Sequence, residues 1–250
     1  MKNLFTLFLI LLVFGCKEKP TETSEEKDAE MIAKTELATQ ENEWTVLFDG
    51  TSFDGWHEYL KAEVSENWKI EDGAMVFHPP ENREDKESFN LVSDKTYTDF
   101  ILSLEWRISE GGNSGVFWGI KEIESLKKPY ETGPEIQVLD NDRHPDGKNG
   151  KSHQAGALYD MVSPTEDVTK PVGEWNLFEI TINHQTNSGG VVLNGTEIVK
   201  FPLNDPEWKE MVSKSKFADW EHFGKYTTGK IGLQDHGDRV AFRNIKIKEL

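Results

Sequence analysis

The side chains best suited to chemistry gather in the middle of the chain, and the densest group is Glu135-Ile136-Gln137-Val138-Leu139-Asp140. Side chains alternate along an extended strand, so Glu135 and Gln137 share one face and Asp140 falls on the other. A single bulge at Val138 or Leu139 would return Asp140 to their side and bring three polar groups onto one surface. A carboxylate there can move a proton, and an amide can hold a hydroxyl or a carbonyl. The same pattern also fits a chemically idle strand, with Glu135 at a solvent edge and Asp140 opening the next turn.

Further candidates lie on either side. His153, Tyr159 and Asp160 surround Ala155-Gly156-Ala157, whose short side chains would leave room for a ligand above the backbone. Histidine shuttles protons near neutral pH, and a tyrosine can donate to a developing oxyanion. Asn113-Ser114-Gly115 precedes a strand holding Phe117 and Trp118, and Gln234-Asp235-His236-Gly237 closes another. Aromatic faces stack on sugar rings while amides and carboxylates bond their hydroxyls, so this mixture suits a saccharide cleft. Trp118 is the tryptophan expected to touch ligand, because Trp44, Trp68, Trp106 and Trp175 fit strand patterns that a core explains.

Asp142, His144, Asp146 and Gly147 invite a calcium reading. Counted from Asp142, however, His144 and His153 fall where an EF-hand needs oxygen donors. A polar turn with Asx-type bonding is expected instead, and no cofactor or metal.

The elements that must position these groups are mainly strands. Apolar residues alternate at period two over 45–48, 68–70, 75–77, 100–108, 116–120, 135–139, 177–182, 191–193, 231–234 and 240–247, with Gly, Asn, Asp and Pro between the runs. That predicts an all-β sandwich of two antiparallel sheets. One short peripheral helix is expected after Asp205-Pro206, where Trp208, Met211 and Val212 recur at helical spacing and Asp205 can cap.

Residues 1–16 read as a lipoprotein signal. Lys2 precedes an apolar run too short to span a bilayer, and Val13-Phe14-Gly15-Cys16 follows. Cys16 is the only cysteine, so its expected role is to carry lipid, giving membrane contact in the bacterial cell envelope. Residues 17–42 are polar and acidic and read as a tether, and 43–250 as a single domain. The net charge of −17 would repel phosphates, which excludes nucleic acid as a partner and leaves a small-molecule or oligosaccharide substrate.

Taken in order and spacing, these segments resemble the 3-keto-disaccharide hydrolase family over residues 44 to 250. The resemblance begins with Leu47-Phe-Asp-Gly50 and runs through Asn113-Ser-Gly-Val116, Glu135 to Asp140, Gly156-Ala-Leu-Tyr-Asp160 and Gly173-Glu-Trp-Asn176. It ends with Gly232-Leu-Gln-Asp-His-Gly237 and Phe242-Arg-Asn-Ile245. It implies a concanavalin-like jelly roll that cleaves glycosides whose C3 carries a ketone. Such a ketone acidifies the C2 proton, so a base can remove it, the enolate can expel the C1 substituent, and water can add back. Carried over, Glu135 or His153 is the expected base. Gln137 and Tyr159 are expected donors to the ketone oxygen, and Asp140 with His236 acid or orienting groups. Asn113, Trp118, Asp160 and Asp235 are the remaining expected substrate contacts.

Two rival readings stay open at this level. Concanavalin-like retaining glycosidases use E-x-D-x-x-E, and here Glu135, Gln137 and Asp140 keep that spacing but lose the middle carboxylate. A sandwich of this kind can also simply bind sugar without cleaving it.

Overall fold

A computed structural model describes residues 43–83 and 87–250. The expected signal at 1–16, the lipid on Cys16 and the tether at 17–42 lie outside the described residues. No helix among the described residues is long and apolar enough to cross a membrane.

The strands are β1 (Thr45–Val46), β2 (Trp56–Glu58), β3 (Trp68–Glu71), β4 (Ala74–Phe77), β5 (Leu91–Tyr97), β6 (Phe100–Ile108) and β7 (Asn113–Ile120). They continue with β8 (Glu135–Leu139), β9 (Asn176–Asn183), β10 (Ser188–Leu193), β11 (Thr196–Phe201), β12 (Gly229–Leu233) and β13 (Val240–Glu249). One sheet runs β11-β10-β9-β6-β13-β4-β3 with β1 added on β13, and the other runs β2-β5-β12-β7-β8, every pairing antiparallel. This is the two-sheet antiparallel sandwich that the alternation predicts, in the jelly-roll form that the resemblance implies.

The core lies between the sheets. Leu102, Leu104, Phe178, Ile180 and Phe242 from the larger sheet meet Leu91, Val116, Ile136, Val138 and Leu233 from the smaller, all essentially buried. Period two then fixes what the smaller sheet shows on its other face. With Val116, Ile136 and Leu233 turned inward, Asn113, Gly115 and Phe117 of β7 and Glu135 and Gln137 of β8 must turn outward.

Trp118 shares the inward parity of Val116. It is buried, stacked on Phe201 of β11 with ring centroids 5.8 Å apart, so it is a core residue and not a ligand contact. The space expected above Gly156 is also filled by the core, since a Cβ there would overlap the Ile198 side chain.

The one α-helix among the described residues, α1 (Glu207–Ser213), begins later than the capping argument predicts. Pro206 occupies the cap position without a side-chain bond, and Asp205 pairs with Lys209 at 2.5 Å instead.

Candidate active site

The β7–β8 ladder is unbroken, from Asn113 opposite Leu139 to Phe117 opposite Glu135. Gly115 therefore sits beside Gln137 on the outward face, and the Glu135 side chain reaches across into the space its missing side chain leaves. A Cβ on Gly115 would lie 2.6 Å from the Glu135 carboxyl carbon.

Because the register does not shift, no bulge returns Asp140 to this face. Its carboxylate accepts the Gly111 N–H (2.8 Å) and the Asp142 and Arg143 N–H groups (3.3 Å each), with Arg143 Nη1 at 3.5 Å. Asp140 thus fixes the turn after β8, as an Asx-type residue does.

Over the outward face lies a cavity of about 250 Å³ with room for one sugar ring. Its floor is Asn113, Glu135, Gln137 and Gln234 from the sheet, and its walls include Tyr130, Tyr159, Phe217 and Trp220, with Lys216 and His236 at the sides. Glu135 is the only carboxylate lining it among the described residues. Burial pushes its carboxyl up to about 8, the nearby Lys216 charge and a Gln234 hydrogen bond opposing that rise and the Asp146 charge adding to it.

Three buried amide oxygens in the same floor, Asn113 Oδ1, Gln137 Oε1 and Gln234 Oε1, have no hydrogen-bond partner. A buried acceptor left unpaired costs about 1–3 kcal/mol, so these three beside one cavity are acceptors that a water or a ligand reaching the floor would satisfy. Gln137 Nε2 is already used, donating to the His153 carbonyl at 3.3 Å.

His153 does not reach the cavity. Its Nδ1 faces Asp146 Oδ1 at 2.8 Å and its Nε2 faces Asp160 Oδ1 at 2.9 Å, so neither nitrogen is free to act on a substrate. Asp146 also accepts the Tyr159 hydroxyl at 2.8 Å, and Asp160 accepts the Lys216 N–H at 2.6 Å. Burial and the Asp146 bond hold the Tyr159 phenol protonated, its pKa raised well above the ordinary value. Tyr159, Asp146, His153 and Asp160 thus form a brace behind the wall, and Tyr159 spends its proton on Asp146 rather than on a ketone. The Lys216 ammonium lies 4.1 Å above the Tyr159 ring.

Asp235 faces away from the cavity. Its carboxylate accepts Arg83 Nη2 (2.7 Å) and the Phe89 N–H (2.9 Å), tying the end of β12 to the segment before β5.

Of the expected site residues, the structure therefore brings together Glu135, Gln137, Asn113, Tyr159 and His236. Asp140, His153, Asp160, Asp235 and Trp118 take structural positions around them. The sequence reading missed Tyr130, Lys216, Phe217 and Trp220, and it met Gln234 only as part of a turn motif. It saw Asp146 only as a possible calcium ligand.

The sequence model of the 3-keto-alpha-glucoside-1,2-lyase-like domain matches residues 43–248. A curated relative from Bacteroides thetaiotaomicron, named 3-keto-disaccharide hydrolase, is 36% identical over 246 residues, covering 90% of this chain and 84% of its own. Two solved structures of candidate glycosyl hydrolases from Parabacteroides distasonis share the architecture. One has a TM-score of 0.75 at 31% identity over 92% of this chain and 98% of its own, and the other 0.62 at 26% over 84% and 100%. With the match spanning the whole sandwich and the outward face of its smaller sheet, the chain belongs to the 3-keto-alpha-glucoside-1,2-lyase-like domain family.

Proposed function

We propose that this protein cleaves 3-keto glycosides in the Glu135 cavity, by removing the C2 proton, expelling the C1 substituent and adding water to the product. The observation that carries this is a lone buried carboxyl with a pKa near 8 over three unpaired amide oxygens. A retaining glycosidase needs a second carboxylate about 5–5.5 Å from the first, and the cavity lining offers none among the described residues.

Glu135 takes the C2 proton. The C2–H electron pair becomes the C2=C3 bond and the carbonyl pair moves to O3. When the enolate collapses, C1=C2 forms and the C1–O bond breaks toward the leaving group. A carboxyl whose pKa sits near ambient pH can both accept the first proton and return it to the departing oxygen. Lys216 contributes positive charge where the enolate forms. Asn113, Gln137 and Gln234 receive sugar hydroxyls, and Trp220 and Phe217 supply an apolar wall for the ring.

The test is Glu135→Gln, assayed on a 3-keto glucoside with the reaction run in deuterated water. Loss of turnover by a factor of about 100 to 10,000, together with loss of deuterium wash-in at C2, is expected. A folded variant that keeps near-full turnover would overturn the assignment.

A further inference from the structure

Three metal-ligating side chains meet at the rim of the cavity. His144 comes from the turn after β8, while His236 and Asp238 come from the loop between β12 and β13, and one donor atom of each lies within 4.8 Å of the other two. His236 also lines the cavity itself, so the cluster and the reacting pocket share a wall.

These donors are held from outside rather than by one another. Asp238 Oδ2 accepts the Asn113 N–H at 3.0 Å, and His144 Nδ1 accepts the Asp146 N–H at 3.1 Å. The two imidazoles approach edge to face, with centroids 5.9 Å apart and planes at 83°, so they are not stacked on one another. His236 is exposed, which leaves that space open on the substrate side. Two imidazoles and a carboxylate make a donor set for a divalent first-row transition ion with positions left open. Bonds of about 2.0–2.2 Å place ligand atoms roughly 3–3.5 Å apart, so small side-chain rotations close the present spacing. A cation at His144 takes the lone pair that now receives the Asp146 N–H or, after a ring flip, the other nitrogen. Either way the exchange costs one long backbone hydrogen bond.

We propose that His144, His236 and Asp238 hold a divalent transition-metal ion at the mouth of the cavity, and that two adjacent substrate oxygens complete its coordination. The second half rests on the 3-keto reading. The C3 carbonyl and C2 hydroxyl oxygens of such a sugar are vicinal and close a five-membered chelate ring on one cation. Coordination draws electron density from C3, acidifies the C2–H bond, and holds the charge that arrives on O3 as the C2=C3 bond forms. The ion neither gains nor loses electrons, and the C2 proton goes to Glu135. The sequence reading expected no metal, because the donors come from two loops far apart in the chain that meet only in the fold, where His144 packs against His236.

The test uses the full chain stripped with a chelator and titrated with Co²⁺, followed by visible absorption, and with Mn²⁺, followed by the paramagnetic signal of the free ion. One ion per chain is expected. Affinity should fall at least about 10- to 100-fold in His236→Ala and in Asp238→Asn, and should be unchanged in His222→Gln, whose ring bonds Tyr226. Circular dichroism checks that each variant is folded. Absence of saturable binding, or binding that survives both substitutions, overturns the site. A Co²⁺ spectrum that a saturating 3-keto glucoside leaves unchanged overturns the chelation step. An ion bound in a protein that turns over no 3-keto glycoside overturns the functional reading and leaves the site standing. Full turnover by the stripped protein, with wild-type rates in both variants, overturns the chelation step and leaves the functional reading standing.

Discussion

The Glu135 carboxylate occupies the space that a side chain on Gly115 would fill, diagonally across the β7–β8 ladder. The proposed base is thereby aimed by the absence of an atom on the neighbouring strand. Gly115→Ala should push the carboxylate out of register with the cavity. Because a misplacement of about 1 Å costs roughly 100-fold in rate, turnover of a 3-keto glucoside should fall by that order. Overpacking should also lower stability by about 1–3 kcal/mol. Steady-state kinetics beside a thermal melt separates the two effects. A variant that loses stability alone would show that Glu135 relocates freely.

Glu135 also sets a pH dependence. Its folded pKa, about 8, lies above the ordinary carboxyl value of 4.5, so between those limits the folded chain holds a proton that the unfolded chain has lost. Stability is therefore unaffected by this group below pH 4.5, falls as pH rises through the window, and carries the full penalty above 8, on the order of a few kcal/mol. Glu135→Gln should flatten that slope in denaturant titrations across pH 5 to 9. In the wild type, kcat/KM should rise with pH toward a limb near 8, since the base acts when deprotonated.

Lys216 pulls against the burial of Glu135 through its charge. Lys216→Met removes that pull, so the proton is held more tightly and the rising limb of the pH profile should move to higher pH. Turnover at neutral pH should drop, and raising the pH should recover part of it. A limb that stays where it was would separate Lys216 from the base.

Trp118 packs between the sheets against Phe201. Trp118→Ala should cost about 3–5 kcal/mol of stability through cavity formation. The KM of the folded fraction should not change. A raised KM with an unchanged melting temperature would put the ring back in contact with substrate.

Lipid anchoring at Cys16 is a proposal that the sequence alone supports. Cys16→Ser should move the processed protein from the membrane pellet to the soluble fraction. Continued pelleting after a salt wash would mean that something other than lipid holds it.

Most strands were legible because a sheet with one face against a core leaves a period of two in the sequence. β5 was not, since Asp94, Lys95 and Thr96 are exposed in succession and break the alternation, although the strand sits between β2 and β12. In the site, Glu135 and Gln137 were legible for the same reason, as polar residues on one parity of an apolar strand. Asp140 carried a compatible spacing, but only the register decides that no bulge follows, and a register is a relation between two strands. Lys216, Phe217 and Trp220 lie in a segment with no period, and chain topology alone brings them above the sheet. His153 shows the converse limit, because a histidine poised for catalysis and one fixed between two carboxylates look alike in sequence.

The segment from 214 to 226 is fastened by a handful of bonds: Lys216 N–H to Asp160 at 2.6 Å, Gly224 N–H to the Thr132 carbonyl at 2.8 Å, and Trp208 Nε1 to the Gly224 carbonyl at 3.0 Å. It supplies Lys216, Phe217 and Trp220 to the cavity, while the sheet supplies the carboxylate and the amides. The carboxylate proposed as base and the Phe217 and Trp220 wall are thus written in separate stretches of chain, joined by contacts that do not run through the strand ladder. A lineage that keeps Lys216 can rewrite the aromatic part of the strap while the rungs beneath keep their register, and two relatives that exchange only that part should trade selectivity without trading chemistry.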